Sequence, residues 1–90
     1  MRKINKIKDD FLVYIVQCKY GTYYTGSTGD LKKRIALHNS GKGAKYLRGK
    51  GPVKLVYSKV CGSHQAALVM ERKIKQMRKK EKIELVQESA

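Results

Sequence analysis

Tyr14 and Tyr24 stand ten residues apart in two β-prone runs, FLVYIVQC at 11–18 and TYYTGS at 22–27. A short turn between the runs would bring both phenols onto one face of a hairpin. Packing is the ordinary role of such rings. Beside cations, however, a phenol's anion is stabilised, and its pKa is expected to fall from about 10 towards that of a usable base. Arg34 and His38 are four residues apart and stack on one face of a helix. They flank the apolar Leu31 and Ile35. As edge residues they would simply snorkel to water. As a working pair they offer a guanidinium fork for a phosphate and an imidazole for proton transfer.

Glu71 is one of only seven acids and lies in a strongly basic segment. At helical spacing it borders the stripe of Ala67 and Ile74. On a plain surface it would pair with Lys75, one turn on. In a site it would anchor a divalent ion. A single carboxylate with no His/Cys cluster excludes structural zinc and suits a mostly hydrated Mg2+, completed by substrate phosphates. Cys61-x-x-His64 lacks a second ligand pair and makes no zinc motif.

The elements that must position these residues read as follows. The runs at 11–18 and 22–27 form a hairpin around Lys19-Tyr20-Gly21. Asp30 caps a helix from Leu31 to about Asn39, ended by Ser40-Gly41. Residues 40–52, SGKGAKYLRGKGP, hold four of the eight glycines and the only proline, and read as a loop with one helical turn at 44–47. VKLVYSKV at 53–60 alternates at period two, a half-buried strand. Ser63 caps a helix from His64 to about Met77, with Ala66, Ala67, Met70, Ile74 and Met77 at helical spacing. A last helix spans 79–87 through Ile83, Leu85 and Val86. The order is β-β-α-β-α-α.

Composition narrows the partners. Ninety residues with a formal charge of +14 make one domain facing a polyanion. A core this thin excludes a deep pocket for a large cofactor. Nucleic acid is the first candidate, because each neutralised phosphate releases a counterion. Lys42, Lys45, Arg48 and Lys50 crowd the loop without an acid, and 72–82 carries seven cations and one acid, Glu81. No apolar run reaches membrane-spanning length, and Asp9-Asp10 interrupts the start of the chain, so neither a membrane span nor a signal peptide is expected. Cys18 and Cys61 are too few for a disulfide framework and imply reduced thiols, hence a cytoplasmic setting.

Together, in this order and spacing, these residues resemble the GIY-YIG nuclease domain. Leu12-Val13-Tyr14 stands for the first half-motif and Tyr24-Thr25-Gly26 for the second. Arg34 follows Gly26 by eight residues, His38 comes one turn later, and Glu71 sits on the later helix. HNSGKGAKY at 38–46 and RGKGPVKLVY at 48–57 are similar to the small, stand-alone bacterial members. The resemblance implies an α+β fold, a small three-stranded antiparallel sheet flanked by helices. The domain would occupy 11–85, with a basic, flexible 1–10 before it and a tail at 86–90.

It also implies a DNA endonuclease that hydrolyses phosphodiester bonds with Mg2+ or Mn2+. Tyr14 and Tyr24 would activate or orient water, Arg34 would hold the phosphate, His38 would assist proton transfer, and Glu71 would carry the metal. DNA contacts are expected from Lys42, Lys45, Tyr46, Arg48, Lys50, Arg72 and Lys75. The chain has no room for a separate recognition domain, which favours branched, damaged or nonspecific DNA over a specific sequence and suggests a role in DNA repair. RNA is a second candidate ligand, and a protein partner is not indicated. Two features depart from the family. Leu12 and Val13 replace Gly and Ile, and the Asn usual near the end of the domain has no match, since the chain's Asn residues are Asn5 and Asn39. The competing reading is a non-catalytic nucleic-acid-binding module that keeps the fold.

Overall fold

The computed structural model describes residues 11–41 and 51–89. The basic N-terminus and the helical turn expected at 44–47 lie outside the described residues. β1 (Phe11–Gln17) is the central strand, paired antiparallel with β2 (Tyr23–Thr28) on one side and β3 (Lys54–Gly62) on the other. A strand covered on both faces needs a continuous apolar run rather than alternation. FLVYIVQ supplies one, and Val13, Tyr14, Ile15 and Val16 are each at most 1% exposed. The hairpin turns where expected. Gly21 N–H donates to the Cys18 carbonyl and Cys18 N–H to the Thr22 carbonyl, each at 2.9 Å. Gly21 adopts φ +90°, a region that favours glycine.

Among the described residues three helices follow, in the order β-β-α-β-α-α: α1 (Leu31–Asn39), α2 (His64–Lys75) and α3 (Lys79–Ser89). Their starts are set by local hydrogen bonds. Asp30 Oδ1 accepts from Lys33 N–H, and Ser63 Oγ accepts from Ala66 N–H, each at 3.1 Å. Glu81 reaches back to Arg78 N–H at 2.8 Å, half of a capping box.

The sheet separates two small cores. On one face Tyr14, Val16, Cys18 and Val53 pack with Leu12, Tyr24 and the α1 residues Leu31 and Ile35. On the other, Val13, Ile15, Tyr57 and Ile74 pack with Tyr23, Met70, Met77, Leu85 and Val86. Each fully buried aliphatic side chain stabilises the fold by roughly 1.5–3 kcal/mol.

Three elements differ from the sequence-based expectation. In β3 the pairing shifts between Ile15 and Val16, whose partners are Tyr57 and Leu55, so Val56 is an extra residue. This irregularity inverts the side-chain parity. Val53 therefore enters the first core and Tyr57 the second, although strict alternation puts them on one face. α2 stops at Lys75 with Gln76 as its C-cap, and the turn that follows carries Met77 to the second core beside α3. Ala66 is exposed, because the buried stripe runs through Ala67 and Ile74 and Ala66 lies about 100° away from Ala67. α3 itself runs past residue 86 to Ser89, and Val86 packs on the second core.

Candidate active site

The cross-strand register places Tyr14 opposite Gly26 and Val16 opposite Tyr24, so both tyrosines share the face covered by α1. Tyr14 lies across Gly26. A Cβ built on Gly26 would sit 2.6 Å from the phenol oxygen and 2.8 Å from Cζ, so only glycine leaves room for the ring. The phenol oxygen of Tyr14 is 2.8 Å from His38 Nε2, and the tautomer of His38 decides which atom donates. The pair is buried, at 1% and 2% exposure. His38 therefore does not snorkel from the edge of α1. Its ring also meets Tyr24 edge-on, with centroids 5.6 Å apart.

Burial decides the electrostatics. The phenol of Tyr14 is pushed up to about 12, chiefly by desolvation and next by Tyr24; the Arg34 charge pulls the other way and Glu71 adds to the rise. The expected lowering of the Tyr14 pKa by neighbouring cations is thus corrected, because loss of water outweighs the guanidinium. The same desolvation, aided by Arg34, lowers His38 below the ordinary imidazole value. Both members of the pair are neutral at pH 7. Arg34 is exposed on α1, close enough for its charge to act on both rings. It lines a shallow cleft of about 420 Å³ with Thr28, Gly29, Asp30, Lys33 and Leu37.

Glu71 arrives from the other side of the sheet. α2 packs on the second core, yet the Glu71 carboxylate reaches β2, where Oε1 accepts from Ser27 Oγ at 2.7 Å. Oε2 accepts from Lys75 Nζ at 2.8 Å, and Nζ lies 6.0 Å from the Tyr24 ring centroid. Desolvation pushes the Glu71 carboxyl up, but hydrogen bonds from Lys75 and Ser27 and the charges of Lys75 and Arg72 outweigh it, leaving the pKa below the ordinary value. The ammonium of Lys75 is correspondingly raised, first by its hydrogen bond to Glu71. β2 is an edge strand, and Gly26-Ser27 gives that edge little bulk. The site straddles it: Ser27, Glu71 and Lys75 connect round the edge to Tyr24, His38 and Tyr14.

A scan against family models matches residues 10–84 to the GIY-YIG catalytic domain. The chain belongs to the GIY-YIG family. It is 47% identical to a UPF0213 protein of Clostridium perfringens over 82% of this chain and 80% of that one. A UPF0213 protein of Streptococcus agalactiae is 43% identical over 91% and 93% of the two chains. Among solved structures, the NMR structure of a UPF0213 protein from Bacillus halodurans matches with a TM-score of 0.57 and 44% identity, covering 87% of this chain and 83% of that one.

In this GIY-YIG domain the structure brings Tyr14, Tyr24, His38 and Glu71 to one strand edge, with Arg34 beside them. The departures in the first half-motif have a packing basis, since Leu12 fills the first core and Val13 the second. Asn39 Oδ1 accepts from Val53 N–H at 2.7 Å, tying α1 to the start of the third strand. Arg72 is exposed on α2 and Lys75 is held by Glu71. Lys42, Lys45, Tyr46, Arg48 and Lys50 lie outside the described residues. Sequence reasoning missed Ser27: its partner is 44 residues away, and nothing local marks it as a carboxylate donor. Among the described residues no three His, Cys, Asp or Glu side chains cluster as metal ligands. Glu71, held ionised, offers hard oxygen atoms at this site. No helix among the described residues is long and apolar enough to cross a membrane.

Proposed function

We propose that this protein is a divalent-metal-dependent endonuclease that hydrolyses DNA phosphodiester bonds, directed by DNA structure rather than by base sequence. The observation that carries the reading is the buried 2.8 Å contact between the Tyr14 phenol and His38, set at the strand edge that also receives the Glu71 carboxylate. Hydrolysis needs a deprotonated water, neutralised phosphate oxygens and a protonated leaving alkoxide. With a pKa of about 12, Tyr14 is not a standing phenolate. It serves instead as a relay. Its oxygen takes a proton from the attacking water while its own proton passes to Nε2 of neutral His38. Arg34 binds the scissile phosphate. The arriving negative charge also offsets the Arg34 field that depresses His38, making the imidazole a better acceptor when substrate is in place.

One carboxylate of lowered pKa fits a mostly hydrated ion, so Glu71 would hold Mg2+ or Mn2+, which supplies positive charge for the phosphate and acidifies bound water. The test is nicking of supercoiled plasmid with each metal. Wild type is expected to nick, and Arg34→Ala and Glu71→Ala, folded and still binding DNA, are expected to lose activity. An intact plasmid across metals and pH, or equal activity in both variants, overturns the reading.

A further inference from the structure

Tyr23 starts β2 and points to the face opposite Tyr24. One side of it packs on the second core with Met77, Leu85 and Val86. It also lines a cleft of about 170 Å³ together with Lys79 and Lys82. The two lysines are three residues apart in the first turn of α3, so they share one face. The carboxylate in that turn, Glu81, reaches back to accept from the Arg78 amide, and the charged side chains lining the cleft are Lys79 and Lys82. Lys75, at the end of α2, carries the positive charge on towards Glu71 and Tyr24. Tyr23 stands four residues from Ser27, about 13 Å along the strand. A cleft lined by one aromatic ring and two cations therefore lies against the same edge strand as the candidate active site.

We propose that this cleft holds one unpaired nucleotide of the DNA strand, its base stacked on Tyr23 and its phosphate between Lys79 and Lys82. The placement of that strand towards the Glu71 edge rests on the nuclease reading; the binding itself does not. An aromatic ring beside cations is the platform on which single strands bind without base readout. The cleft is smaller than the roughly 300 Å³ and upward of small-molecule pockets, so it takes one planar group rather than a whole ligand. A base inside a duplex is covered on both faces by its neighbours and has no free face for Tyr23. The cleft thus favours a single-stranded flank beside the cut.

The test is fluorescence anisotropy with a labelled single-stranded 12-mer and a matching duplex, in EDTA so that nothing is cleaved, at several salt concentrations. Tyr23→Leu keeps an apolar side chain on the second core without the ring and is expected to weaken single-strand binding about 5- to 150-fold, the range for one base–aromatic stack, and duplex binding less than twofold. Tyr23→Phe keeps the ring and should bind like wild type. Lys79→Gln with Lys82→Gln, both on the helix surface, should reduce the slope of log K against log salt by about 0.7, one phosphate on a single strand. In wild type, an oligonucleotide bearing 5-iodouracil should photocrosslink to Tyr23, mapped by mass spectrometry. Unchanged single-strand affinity in Tyr23→Leu, equal losses on both DNAs, or crosslinks confined to other residues would overturn the proposal. Absence of cleavage by wild type, with Tyr23-dependent binding intact, would overturn the nuclease reading alone.

Discussion

Replacing Gly26 by Ala tests the geometry of the site with one methyl group. The new Cβ would stand 2.6 Å from the Tyr14 phenol oxygen, against 3.4 Å or more for ordinary contact, so the phenol must withdraw by at least 0.8 Å. Tyr14 is 1% exposed, and β1 is paired on both sides, so the strand cannot absorb the shift. If the displacement fell along the bond to His38, it would stretch 2.8 Å to 3.6 Å, beyond hydrogen-bonding range. Overpacking and a poorly satisfied buried pair together cost about 2–4 kcal/mol. At a urea m-value of about 1.5 kcal/mol/M, the midpoint should fall by about 1.3–2.7 M. Plasmid nicking should fall about 100-fold, the usual consequence of a reacting group displaced by about 1 Å. The control is the same substitution in a Tyr14→Leu background, where no phenol is left to strike and the added cost should largely disappear. An equal penalty in both backgrounds, or none in either, refutes the argument that Gly26 exists to admit the Tyr14 ring.

Other consequences are as direct. His38 has a lowered folded-state pKa, so the folded protein binds fewer protons than the unfolded chain as pH drops below about 6.5; stability should fall through that window, and urea midpoints of His38→Gln should be flatter there. Tyr14 has a raised pKa, so stability should decline as pH rises from about 10 towards 12, and absorbance titration at high pH should lose its latest phenol in Tyr14→Phe. Ser27→Ala removes one hydrogen bond to the Glu71 carboxylate, and the Glu71 pKa, followed by carboxyl NMR, should move up. Chelation by EDTA should abolish nicking, with Mn2+ restoring it to wild type and not to Glu71→Gln.

Much of the architecture follows from neighbours in the chain. Asp30 and Ser63 cap their helices within three residues, Gly21 closes a tight turn, and alternation along the hairpin places Tyr14 and Tyr24 on one face. The candidate site residues could also be listed, because phenol, guanidinium, imidazole and carboxylate each advertise a chemistry. What could not be seen was which way each environment pushes. Charge counting expects cations to acidify the tyrosines; in the fold, Tyr14 has lost its water, and desolvation outweighs the nearby guanidinium.

The same division explains the remaining gaps. Amino-acid order by itself determined the elements, their caps and the list of candidate side chains, since these depend on residue type and on forces acting over about four residues. Tertiary structure decided that His38 is buried against Tyr14 across 24 positions and that Ser27 meets Glu71 across 44. It also decided that one extra residue in β3 sends Val53 and Tyr57 to opposite cores. Burial and long-range hydrogen bonds are properties of packed surfaces, and a surface exists only once distant segments have met.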